Sequence, residues 1–95
     1  SAAASCNHGF ASHAAHCLYR NILGVYRIDS QKKIVYLRFG NTGLEWCEGK
    51  MPTKNGMISV RWWKDGGEIR YQADVPSGYS LKVENISGQK LVRHL

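Results

Sequence analysis

Leu18-Tyr19-Arg20-Asn21-Ile22-Leu23-Gly24-Val25-Tyr26-Arg27 joins two kinds of sequence. On its N-terminal side Phe10, Ala14, Leu18 and Ile22 recur every fourth residue, and Ala11, Ala15 and Cys17 widen the stripe. That spacing predicts one amphipathic helix over residues 10–23, with Gly24 as the residue that stops it. Alanine at the contact positions permits close helix–helix approach, as in a crowded helical barrel, yet no second helical pattern follows. Residues 1–24 therefore read as the last helix of an upstream helical domain, and residues 25–95 as a complete β domain. The alternative is that the stripe lies on the β domain itself. The connection over residues 24–32 is short, so helix and β domain are expected to touch.

Beyond the join the period changes to two. Val35, Leu37 and Phe39 alternate with Ile34, Tyr36 and Arg38, and Leu44 and Trp46 with Glu45 and Cys47. Ile58, Val60 and Trp62 alternate with Ser59, Arg61 and Trp63. Ile69, Tyr71, Ala73 and Val75 stand against Glu68, Arg70, Gln72 and Asp74, and Tyr79, Leu81 and Val83 against Ser80, Lys82 and Glu84. Residues 90–93 form a last short run. Such runs predict half-buried antiparallel strands around one core. Asn55-Gly56 and Gly66-Gly67 supply the positive φ that tight hairpins require. The expected fold is mainly β: a small antiparallel, jelly-roll-like sandwich preceded by one α-helix.

Composition narrows the class. Hydrophobic residues at 43% and charged residues at 21% describe a chain that folds. The net charge of +6 is spread over alternate strand positions, the pattern of a solvated face, so no nucleic-acid partner is expected. No apolar run reaches the roughly 18 residues of a membrane span, and no membrane contact is expected. Cys6, Cys17 and Cys47 make an odd count without framework spacing, so at least one thiol is free and the fold is not expected to depend on a disulfide network. The compartment is left open. Ser1–Ser5 (SAAAS) has the look of added residues.

Several side chains invite a chemical reading. His13 and Cys17 lie four apart on one helix face, a workable pair of zinc ligands, but the other spacings match no closed site. No metal and no cofactor is expected. Trp46, Trp62, Trp63 and Tyr36 raise a stand-alone carbohydrate-binding module, because aromatic faces stack on sugars. Trp46 and Trp62 run in phase with apolar neighbours and are assigned to core or interface. Trp63 is out of phase beside Lys64; it is either exposed or buried against an upstream domain. Asn85-Ile86-Ser87 matches a glycosylation sequon and is read as an ordinary turn.

Cys6-Asn7-His8-Gly9-Phe10-Ala11-Ser12, followed by Leu18-Tyr19-Arg20 and Ile22-Leu23-Gly24-Val25, resembles the end of the catalytic domain of bacterial α-L-rhamnosidases, glycoside hydrolase family 78. Gly43-Leu44-Glu45-Trp46-Cys47-Glu48-Gly49, then Pro52-Thr53, Asn55-Gly56 and the strand ending at Trp62, is similar to that family's C-terminal β-sandwich. The likeness runs from about Ser5 to Val83. It departs at Cys47, where alanine is usual, and at Lys54, where proline or another residue is common.

The resemblance implies an (α/α)6 barrel upstream, which cleaves terminal α-L-rhamnose from glycans and glycosides with inversion. Inversion uses one carboxylic acid and one carboxylate spaced to admit a water. Both family carboxylates lie upstream of the helix, so no catalytic residue is expected in this chain. Asp29, Glu45, Glu48, Asp65, Glu68, Asp74 and Glu84 all fall in the β part. His8 is the implied substrate-binding residue, its imidazole donating to or accepting from a sugar hydroxyl. The bland alternative is a histidine capping the helix, and Asn7 is read as holding the turn. The implied partners are the upstream barrel and, through it, a rhamnose-containing glycan, with the bacterial periplasm or exterior suited to the parent. Without its helical neighbours the helix is expected to dock incompletely, giving self-association or disorder over residues 1–9.

Overall fold

The computed structural model describes residues 22–94 in full and residues 3–6 as backbone. Eight strands follow in chain order: β1 (Ala3–Cys6), β2 (Val25–Asp29), β3 (Ile34–Phe39), β4 (Trp46–Thr53), β5 (Gly56–Asp65), β6 (Glu68–Asp74), β7 (Ser80–Asn85) and β8 (Lys90–Arg93). They form two sheets, one in the order β1-β4-β5-β6-β8 and one in the order β2-β3-β7, which together make the small sandwich. The helix expected over residues 10–23 falls on positions outside the described residues, except for Ile22 and Leu23.

Local chemistry accounts for the hairpins. Asp65 pairs with Glu68 across Gly66 (φ 58°) and Gly67 (φ 85°), a two-residue loop in which both central residues need positive φ. At Asn55-Gly56 only Gly56 takes positive φ, and the Thr53 hydroxyl donates to the Gly56 carbonyl at 2.7 Å. The β2–β3 turn is held by Asp29, whose carboxylate accepts from the Lys32 amide at 2.9 Å and the Gln31 amide at 3.1 Å. The Lys32 amide is the main reason that the Asp29 carboxyl titrates below its usual range.

The connections explain a departure from the expected pairing. Four pairs are antiparallel, but β3–β7 and β6–β8 are parallel. From β6 the chain crosses to the smaller sheet as β7, then returns to the larger sheet as β8. A strand reached by crossing the sandwich escapes the reversal that a hairpin imposes. The Ser80 amide donates to the Lys33 carbonyl at 2.8 Å where β7 joins β3.

The core lies between the sheets. Val35, Leu37 and Phe39 face Ile58, Val60, Trp62, Ile69, Tyr71 and Ala73, as the period-two pattern predicts. Burial pushes the Tyr71 hydroxyl above its usual pKa. Leu23 joins this core at 1% exposure, and the Trp62 indole Nε1 donates to the Ile22 carbonyl at 2.9 Å. The end of the expected helix is thus in contact with the sandwich. Gly24 sits at φ 109°, where a Cβ would come within 3.0 Å of the Arg38 carbonyl oxygen. The close approach permits the Arg38 amide to donate to the Gly24 carbonyl at 2.8 Å, extending the β2–β3 ladder.

Two strands have no counterpart in the sequence pattern. In β2 the register shifts between Val25 and Arg27, a bulge at Tyr26 that breaks the alternation. In β1, four small residues pair with β4, from Ala3 opposite Lys50 to Cys6 opposite Cys47. Ala3–Cys6 is therefore part of the sheet. Cys47 is fully buried and disulfide-bonded. One such bond is less than the disulfide network that the sequence argued against, but the spacing gave no sign of it. An odd count of cysteines still leaves room for one bond, and strand register is not visible in spacing along the chain.

Candidate functional site

The outer face of the larger sheet carries the residues that point away from the core. Trp46 of β4 lies opposite Trp63 of β5, which lies opposite Arg70 of β6. In the next outward row Glu48 lies opposite Arg61, and Arg61 opposite Gln72. Trp46 is 38% exposed, while its neighbour Cys47 is fully buried. Of the two assignments for Trp46, core and interface, the core is overturned: it faces out in this domain. Leu44 precedes the start of β4, and the chain bends between them, so the alternation counted from Leu44 does not carry into the strand. Of the three tryptophans, Trp62 is buried, Trp63 half-buried and Trp46 exposed.

Trp63 is held in a polar frame. The Arg61 guanidinium carbon stands 4.9 Å from its ring centroid, and the His94 ring lies 5.1 Å away, tilted by 51°. His94 is fixed by its amide, which donates to the Tyr71 carbonyl at 2.7 Å beyond the end of β8. Its Nε2 lies 3.2 Å from Arg70 Nη1. A guanidinium has no acceptor, so this Nε2 accepts and a neutral ring carries its proton on Nδ1. Arg70 Nη2 meets Glu68 Oε2 at 3.0 Å. Its Nε lies 3.2 Å from Asp65 Oδ2, an ion-pair contact at an angle that makes no hydrogen bond. Lys90 Nζ stands 3.9 Å from Glu68 Oε1.

The outer face of the smaller sheet is built differently. Tyr26 and Tyr36 meet at 5.9 Å between centroids, with Arg38 over the first ring at 4.3 Å and Arg27 over the second at 5.1 Å. Arg38 Nε also donates to Glu84 Oε1 at 2.6 Å. A guanidinium thus covers each of these rings. The acids Asp29, Asp65, Glu68 and Glu84 are all committed, to turn amides or to arginines.

His8, Asn7, His13, His16 and Cys17 lie outside the described residues. Asn85-Ile86-Ser87 is a turn held by its own side chain: Asn85 Oδ1 accepts from the Ser87 amide at 3.0 Å, and its Nδ2 donates to the Gln89 carbonyl at 2.7 Å. His94 has no motif around it, and only its place after β8 brings it to Trp63.

Residues 26–91 match the family model of the bacterial alpha-L-rhamnosidase C-terminal domain, well over half of the chain. The chain belongs to this family. No curated protein and no solved structure matches it. The matched part of this rhamnosidase C-terminal domain starts within β2 and ends within β8, so it spans both sheets. The family implies a glycosidase parent and an accessory β domain within it.

Proposed function

We propose that this chain is the accessory C-terminal domain of an inverting α-L-rhamnosidase that removes terminal α-L-rhamnose. The segment that ends at residue 24 carries the last helix of the upstream (α/α)6 barrel over residues 10–23, and residues 25–95, with β1 (Ala3–Cys6) paired to β4, are the sandwich that supports it. The family match over both sheets carries this reading. It is supported by the packing of Leu23 and the Ile22 carbonyl against the sandwich, which gives a helix at this position a firm seat.

An accessory domain without the acid–base pair does not hydrolyse glycosides, since leaving-group protonation and water activation both need a carboxyl group. The purified 95-residue chain is expected to release no p-nitrophenol from p-nitrophenyl α-L-rhamnoside above a buffer blank. Turnover that survives repurification overturns the accessory role.

His8 donates to or accepts from a rhamnose hydroxyl in the parent's pocket. In the parent, His8→Ala then leaves a buried polar group unpaired and lowers kcat/KM about tenfold or more, on the order of 1.5–3 kcal/mol. Wild-type kinetics in a folded variant would mean that His8 only caps the helix.

A further inference from the structure

We infer that the outer face of the larger sheet, centred on Trp46 and Trp63, binds a neutral pyranose chain. The binding element is one exposed indole beside a second that is already fixed. Trp46 offers its ring to solvent at 38% exposure, directly across the β4–β5 ladder from Trp63. The Trp63 ring has Arg61 and His94 against it, and Arg70 ties His94 to the carboxylates of Asp65 and Glu68. Little side-chain freedom is left to lose on binding around that ring.

The chemistry of the face selects the class of ligand. An indole face carries partial negative charge and attracts the polarised C–H bonds on the apolar side of a sugar ring. The hydroxyls at the rim of such a ring need donors and acceptors, and Glu48, Arg61 and Gln72 form the adjoining row. Charge is balanced on this face. Arg70 and Lys90 sit on Asp65 and Glu68, and Glu48 lies opposite Arg61. A polyanion needs a surplus of cations, which this arrangement does not provide.

Size argues against a protein partner. Met57, the other exposed large apolar residue of this sheet, pairs with Pro52. That places it six residues along β4 from Trp46, about 20 Å away. A single exposed ring in a polar field is too small for the apolar centre of a protein interface and matches one sugar unit.

The pyranose class rests on this geometry. The preference for rhamnose among pyranoses rests on the rhamnosidase reading, and the test separates the two. The 95-residue chain is titrated with methyl α-L-rhamnopyranoside and, separately, with maltohexaose, and the indole N–H resonances are followed by NMR. The Trp46 and Trp63 signals are expected to shift with a dissociation constant of about 1–10 mM, the range for a ligand held on one exposed ring. The Trp62 signal, from a buried ring bonded to Ile22, stays in place. Trp46→Ala weakens binding at least tenfold, whereas Met57→Ala leaves it unchanged; both are surface changes whose folding the Trp62 resonance reports. Shifts with maltohexaose alone uphold the pyranose site and remove the preference for rhamnose. The site is overturned if neither sugar moves Trp46, if Trp46→Ala binds as wild type, or if polygalacturonate binds more tightly than maltohexaose. Shifts that follow protein concentration instead of sugar also overturn it, because they make the face a self-association surface.

Discussion

Trp62→Ala is expected to remove about 3–5 kcal/mol of stability, the range for deleting a buried tryptophan side chain. A 95-residue domain has roughly 5–14 kcal/mol in total, so this one change consumes much of it. Two effects add at this position. The ring fills the centre of the larger sheet's inner face at 2% exposure, and its removal leaves a cavity between the sheets. Its Nε1 also serves the Ile22 carbonyl, which loses its donor. Trp62→Phe separates the two, keeping most of the apolar contact while leaving that carbonyl unpaired at about 1–3 kcal/mol. The melting temperature of Trp62→Ala should fall by about 12–40 °C, at roughly 4–8 °C per kcal/mol for a domain this size. A variant melting within about 5 °C of wild type would show that Trp62 does not hold the two sheets and residues 22–23 together.

Reduction of the Cys47 disulfide is the second large effect. A native disulfide in a small domain contributes about 2–4 kcal/mol, chiefly by restricting the unfolded chain. Cys47 sits at the second position of β4 with no solvent exposure, so its sulfur also belongs to the core. Urea unfolding of the wild-type chain with and without reductant should show the midpoint falling on reduction. Cys47→Ala should unfold near the reduced midpoint and respond little to reductant. An unchanged wild-type midpoint after full reduction, checked by thiol titration, removes the disulfide from the account of stability.

Much of the fold is written in short-range pattern. The alternation in β3, β5 and β6 states both that these are strands and which face is inside, because period two places every second side chain on one face. The Gly66-Gly67 turn is equally local, since two consecutive residues with positive φ need no tertiary support to choose a hairpin. In β7 the pattern is less complete. Tyr79 is buried and Leu81 partly buried, but Val83 is 38% exposed, because β7 is the edge of the three-stranded sheet.

The sequence by itself determined the class: a small β-sandwich with a polar exterior, and membership in the rhamnosidase C-terminal family through motifs in order. Each of these depends on residues near one another in the chain. Only the tertiary structure decided the rest. It placed Trp46 outside by starting β4 after Leu44, and it brought Trp63, His94 and Arg70 together from three chain regions. It paired β3 with β7 and β6 with β8 in parallel, added β1 and the bulged β2, and put Cys47 in a disulfide. These features depend on where the chain crosses between sheets and on strand register. Neither leaves a periodic trace, because they are set by contacts between residues tens of positions apart.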